Sequence, residues 1–148
     1  MKPAQVAIIT PYYKEGVATL ERCRASVRAQ SHQNVIHYLI ADGFPQATFA
    51  EEKVQVRHIT LPLGHNDCGG TARGIGALCA LNEGADVVCF LDADNFYGPE
   101  HVESVLKNFT AQRCDGVFSS RYSFPKGHPR KLMLSPDDEG EGLVETSC

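Results

Sequence analysis

Residues 6–10 (VAIIT) are an unbroken apolar, β-branched run, the pattern of a strand buried on both faces of a parallel sheet, and Pro11 is expected to end it. Over residues 18–30 the apolar positions Leu20, Cys23 and Val27 recur at helical spacing, with Glu21, Arg22, Arg24 and Arg28 expected to face water. Residues 35–41 (VIHYLIA) predict a second strand closed by Asp42-Gly43, and the alternation in residues 54–59 (VQVRHI) predicts a third. Gly69-Gly70 precede an Ala- and Leu-rich helix over 71–83 that Gly84 terminates. A fourth buried strand, residues 86–91 (DVVCFL), ends at Asp92. Pro99-Glu100 then open a helix in which Val102, Val105, Leu106 and Phe109 follow the i, i+3, i+4, i+7 rule. Residues 116–119 predict a fifth strand.

Strands alternating with helices mean an α/β domain with a mainly parallel sheet, whose ligands bind beyond the carboxyl ends of the strands. The rest of the chain lacks this order. Residues 124–141 hold three of the eight prolines and the acidic cluster Asp137, Asp138, Glu139 and Glu141, and are read as a mobile loop. Residues 143–148 (LVETSC) begin another strand-like run.

With 148 residues, 43% of them apolar, the chain has enough material for one globular core without a disulfide or metal staple. A net charge of −4 argues against nucleic acid as a partner, and any anionic ligand needs a local cation. The six cysteines, Cys23, Cys68, Cys79, Cys89, Cys114 and Cys148, show no Cys-x-x-Cys spacing and are read as reduced. There is no signal-peptide core and no run approaching the roughly 20 apolar residues of a membrane span, so a soluble, cytoplasmic protein is expected.

Polar side chains gather at the strand ends. Asp92 and Asp94, one residue apart after a buried strand, can share a hard divalent cation if the chain turns after the first; the alternative is that Asp92 caps a turn and Asp94 is solvated. Arg73, in the first turn of its helix, suits a diphosphate, or else is a solvated surface residue. Asp42 can accept a hydrogen bond from a base N–H, or simply belong to an Asp-Gly turn, and Tyr13 can stack on a flat ring, or pack at the rim. His65-x-Asp67 with Cys68 falls short of a zinc set. Gly74-x-Gly76 lies inside a helix, which is the wrong context for a dinucleotide fingerprint.

Four ordered segments, VAIITPYYKE, LIADGF, GGTARGIG and FLDADNFYGPEHV, make the chain resemble the nucleotide-sugar-binding half of a family 2 glycosyltransferase, a Rossmann-like GT-A fold. The resemblance covers roughly residues 6–109. It implies a donor-binding domain over residues 1–123, with 124–148 as the acidic loop and the start of the acceptor side, so that the chain is expected to be truncated at its C-terminus. It implies that Pro11, Tyr13 and Glu15 border the nucleoside, Asp42 bonds the base, and Arg73 meets the diphosphate. Asp92 then lies near ribose or metal, and Asp94 is the principal ligand of Mn²⁺ or Mg²⁺. Ala41 and Gly74 depart from the family's usual Asp and Asn.

The implied reaction is metal-dependent transfer of a sugar from a nucleoside diphosphate, most often UDP, to an acceptor hydroxyl with inversion. Neither the acceptor nor the general base is assigned. Two alternatives stand beside it: a truncated, non-catalytic donor-binding domain, and a phosphohydrolase using Asp92 as nucleophile and Asp94 as acid/base. Apolar surface left uncovered by the missing half would favour homo-oligomers.

Overall fold

The computed structural model describes residues 2–46, 55–112, 114–117, 119, 122–123 and 133–134. The chain divides into two compact units, Met1–Ser104 and Val105–Cys148. In the first, β1 (Val6–Tyr12), β2 (Val35–Asp42), β3 (Gln55–Leu61) and β4 (Val87–Phe90) form a four-stranded sheet in the order β3-β2-β1-β4. All three strand pairings are parallel, from Val6↔Val35 to Tyr12↔Ala41 and from Val6↔Val87 to Ile9↔Phe90 around β1, and from Ile36↔Gln55 to Asp42↔Leu61 between β2 and β3. The helices are α1 (Val17–Arg28), α2 (Gly70–Asn82) and α3 (His101–Gln112), the last running across the division between the units.

Strand periodicity sorts the core into two layers. Ala7 and Ile9 of β1 and Ile36, Tyr38 and Ile40 of β2 pack with Ala72 and Ala80 of α2 on one face, while Tyr12, Leu39 and Ala41 pack with Leu20 of α1 and with Ala93 on the other. A sheet covered on both faces explains why β1 and β2 read as continuous apolar runs.

Four expectations need correction. Pro11 does not stop β1, which continues to Tyr12. Ile9 gives its carbonyl to the Leu91 N–H at 3.0 Å, so residues 9 and 11 face β4; that ladder ends at Ile9↔Phe90, where the next bond would need the N–H that Pro11 lacks, while pairing with β2 on the other side carries β1 on to Tyr12↔Ala41. The fourth strand is shorter than residues 86–91 and lies at the sheet's edge, which leaves Phe90 51% exposed. Arg24 is 3% exposed rather than solvated, because it lies along the sheet-facing side of α1 with Glu21 as its ion-pair partner. Cys23, Cys79, Cys89 and Cys114 are free thiols, but Cys68 is disulfide-bonded, as its exposed loop position allows where packing does not hold a cysteine as a small apolar group.

In the second unit, Gly116, Val117 and Ser119 are outside any strand, and a short antiparallel ladder instead joins β5 (Tyr122–Ser123) to β6 (Met133–Leu134). β6 interrupts the loop expected over 124–141, whose other residues, like the run at 143–148, lie outside the described residues. No helix among the described residues is long and apolar enough to cross a membrane.

Two features of this core yield measurable consequences. At Gly76, α2 approaches the sheet so closely that a Cβ would lie 2.6 Å from Ile9 Cγ2 and 3.0 Å from Ile40 Cγ1. Gly76→Ala gains helix propensity but forces two buried β-branched side chains apart; a net loss of about 1–2 kcal/mol is expected, read as a lower urea midpoint at unchanged slope.

His37, 1% exposed, shares a 2.9 Å hydrogen bond with the Thr10 hydroxyl, and burial, reinforced by the Arg24 and Arg28 charges, pushes its pKa down to about 3. It is therefore neutral in the fold, whereas the unfolded chain takes up a proton near 6.5. Its contribution is complete above pH 6.5 and is lost as pH falls from 6.5 toward 3, with a limiting slope of about 1.4 kcal/mol per pH unit. Denaturant midpoints measured between pH 7 and about 4.5 should fall with that slope, and His37→Gln should flatten the profile.

Candidate functional site

The carboxyl ends of β1, β2 and β4 carry the residues singled out above, arranged as two neighbouring groups within the first unit. One group forms around the start of α2. Gly69, in the left-handed region at φ +78°, turns the chain into the helix, and its lack of a side chain leaves room for Pro11: a Cβ there would stand 3.0 Å from the proline ring and 3.5 Å from Arg73 Nη1. Arg73 Nη1 donates to the Cys68 carbonyl at 2.6 Å, and Nη2 donates to Asp92 Oδ1. Arg73 thereby ties the start of α2 to Asp92, with Pro11 packed beside Gly69.

The backbone donors at the start of α2 are partly used by the protein itself. Asp67 Oδ2 accepts from the Thr71 N–H at 2.7 Å and from its hydroxyl at 2.6 Å, and the Asp67 carbonyl accepts from Gly70 N–H at 3.1 Å. These hydrogen bonds, the Thr71 hydroxyl first, hold the Asp67 pKa below its usual value. His65 and Asp67 thus have separate tasks, and among the described residues no cluster of three His, Cys, Asp or Glu side chains forms.

Asp92 and Asp94 flank Ala93, which is buried in the α1-side core. The chain turns there as the cation reading requires, with Asn95 N–H donating to the Asp92 carbonyl at 2.9 Å. Helix α1 holds this loop at several points: Arg22 donates to the Asp94 carbonyl, the Cys23 thiol lies 3.8 Å from the Asp92 carbonyl, and Ser26 Oγ accepts from Tyr97 N–H at 3.2 Å. The Tyr97 hydroxyl donates to the Phe90 carbonyl at 2.6 Å, and burial raises its pKa. Asp94 is exposed, and its carboxylate accepts no hydrogen bond among the described residues. Two acidic oxygen donors on a fixed turn, one paired with an arginine and one open, fit a hard cation that completes its shell with phosphate oxygens and water, rather than a closed all-protein site.

The second group lies at the ends of β1 and β2. The Tyr13 ring meets Phe44 edge-on, with centroids 4.7 Å apart at 75°, and Lys14 Nζ lies 4.7 and 4.6 Å from the two centroids. Glu15 folds back so that Oε2 accepts from the Tyr13 N–H at 2.6 Å, which places it against its own strand end. Asp42 is engaged by His65: the ring Nδ1 lies 2.6 Å from Oδ1, and the backbone N–H donates at 3.2 Å to Oδ1 and 3.0 Å to Oδ2. Gly64 is wedged beside this pair, where a Cβ would be 2.8 Å from the Tyr13 ring and 3.3 Å from Phe44.

The sequence reading did not single out Phe44, Lys14, Gly64 or His65 in this role. A signal was available in the glycines at 43 and 64, but their partnership is long-range and cannot be read from spacing.

The profile of the family described as "Glycosyl transferase family 2" matches residues 7–136. The succinoglycan biosynthesis protein ExoW of Rhizobium meliloti (strain 1021) is 29% identical over 122 residues, covering 79% of this chain and 38% of that protein. The solved structure of S. aureus TarS 1-349 aligns with a TM-score of 0.57 at 12% identity, over 82% of this chain and 40% of that one. The same protein in complex with UDP aligns at 0.52 and 14% identity, over 82% and 39%. The chain spans about two-fifths of the length of these relatives. The structural likeness is one of fold.

Proposed function

The chain belongs to glycosyl transferase family 2, and we propose that it binds a nucleoside diphosphate-sugar, a uridine donor foremost, for transfer of the sugar to an acceptor hydroxyl with inversion. In this reading residues 1–123 form the donor-binding part. Asp42 accepts an N–H of the base, Tyr13 borders its ring, and Pro11 and Glu15 line the nucleoside side. Arg73 faces the diphosphate, and Asp92 and Asp94 hold Mn²⁺ or Mg²⁺, Asp94 as the principal ligand because Asp92 is shared with Arg73.

The observation that carries this reading is the Arg73 guanidinium, which bridges the Cys68 carbonyl and the Asp92 carboxylate at the start of α2. In an acidic chain it is the local cation that an anionic leaving group requires. When the acceptor oxygen attacks the anomeric carbon, the bond to the diphosphate breaks and the diphosphate leaves with the electron pair. Arg73 stabilises the charge that develops on it. A bound divalent cation would add to that stabilisation. Neither the acceptor site nor the carboxylate that removes its proton is assigned to a residue of this chain, and a cytoplasmic, soluble setting fits the substrates.

The phosphohydrolase reading is set aside by family membership. The binding-only reading differs from the proposal in turnover alone.

Calorimetry of UDP with Mn²⁺ should show saturable binding that weakens sharply in excess chelator. Asp94→Ala should abolish the metal-dependent part, and Arg73→Met should weaken binding about 10- to 100-fold, the loss of a charge-assisted contact. Equal affinity with and without metal would rule out the cation, and unchanged affinity in Arg73→Met would remove the basis of the site. Release of UDP from a UDP-sugar by the chain extended to the length of its relatives, but not by this chain, would select the binding-only reading for the chain as it stands.

A further inference from the structure

The geometry points to His65 as a positioning residue that fixes Asp42 for recognition of the base, an inference that rests on the donor-site reading above. The Asp42 side chain is 5% exposed and that of His65 35%. A carboxylate buried to this degree has little water to orient it, so its orientation depends on protein donors. His65 supplies both of those found among the described residues, from its backbone N–H and its ring Nδ1. A carboxylate only accepts, so Nδ1 carries the proton in this contact.

Counting acceptor positions shows what remains. An ionised carboxylate offers about four. The ring N–H takes one on Oδ1, and the backbone N–H, shared at 3.2 Å with Oδ1 and 3.0 Å with Oδ2, takes the second on Oδ1 and one on Oδ2. Oδ2 therefore retains an open acceptor position while Oδ1 is used by the ring. His65 thus presents one particular oxygen of Asp42 and prevents the carboxylate from rotating. An acceptor held in this way favours a base whose edge carries a ring N–H and rejects one that lacks it.

Local backbone geometry brings His65 there. Gly43, at φ +83°, packs directly on the loop that precedes His65: a Cβ at 43 would lie 2.4 Å from Gly64 N and 2.8 Å from the Leu63 carbonyl carbon. Two glycines in contact let the loop lie on the end of β2, and the next residue is His65.

The test compares UDP with N3-methyl-UDP, which lacks the ring N–H, by calorimetry with Mn²⁺ on the full chain. The wild type is expected to bind UDP at least about tenfold more tightly than the methylated analogue. His65→Leu should bring that ratio to within about twofold, while affinity for inorganic pyrophosphate with Mn²⁺ stays unchanged. His65→Asn, whose amide can reach the place of Nδ1, should restore the ratio; a merely structural role would not be rescued selectively in this way. Should His65→Leu lose its fold, as judged by circular dichroism, the ratio is read on His65→Ala. A wild-type ratio retained in the Leu or Ala variant overturns the role of His65 and leaves the donor site standing. A wild type that binds UDP without preferring it to the methylated form also overturns the role. Failure of the wild type to bind UDP at all overturns the donor-site reading, and this inference with it.

Discussion

A parallel sheet covered by helices on both faces has little room for polar chemistry except at the edge where its strands end. In this chain β1 and β2 are buried along their whole lengths, and their inward positions are filled from α2 on one side and α1 on the other. Parallel pairing then sets the ends of β1, β2 and β4 side by side whatever the intervening loops do. Asp42, Asp92 and the Pro11-Tyr12-Tyr13 segment meet because the register gives them no alternative. The close approach of α2 at Gly76 seats that helix against β1 and β2, and its first turn is where Arg73 arises.

Helix α1 contributes differently, since it supplies no side chain to the proposed ligand contacts but ties down the loop that carries Asp92 and Asp94. Arg22 and Cys23 reach that loop's carbonyls, and Ser26 accepts from its Tyr97 N–H. Beneath these anchors a buried polar chain runs from His37 through the Thr10 hydroxyl to the Cys23 thiol. Burial raises the Cys23 pKa to about 11 and lowers that of His37 to about 3, so both groups are neutral near pH 7. An uncharged network is the form that can be enclosed at tolerable cost, and it binds the second layer of the core to the loop at the sheet's edge.

Much of this was legible in the sequence, for a physical reason. Strand burial and helix amphipathy are written at short range, so β1, β2, α1, α2 and α3 follow from apolar spacing, and the motifs at their ends follow with them. What resisted reading depends on contacts between distant positions. Pro11 belongs inside a strand because β2 pairs with β1 as far as Tyr12, a fact about the neighbouring strand. Arg24 follows the charged rhythm of an exposed face, yet it lies buried against Glu21. His65 and Asp67 look like a pair by spacing, but one bonds Asp42 and the other bonds Thr71, because the backbone turns at Asn66 between them, a residue with positive φ. In the site, Arg73 and Asp92 were expected to approach a common ligand; their direct contact with one another could not be read from positions 19 residues apart.

That contact also bears on how an acidic protein would present the diphosphate-binding surface proposed above. A helix N-terminus is an obvious anion site, yet here Asp67 already occupies donors at the start of α2 and brings a negative charge of its own. The helix end alone is therefore a poor attractor for an anion. Arg73 compensates: its guanidinium reaches out from the same turn, and Asp92 holds it in place. Its charge is shared with Asp92, so the pair is close to neutral, and favouring a doubly charged diphosphate requires further positive charge close by. The open carboxylate of Asp94, at the other side of buried Ala93, is where a cation can supply it. In the proposed function the arginine would orient the phosphate oxygens through its directional N–H groups, and a cation at Asp94 would add the further charge, which would couple affinity to metal through one turn of the chain.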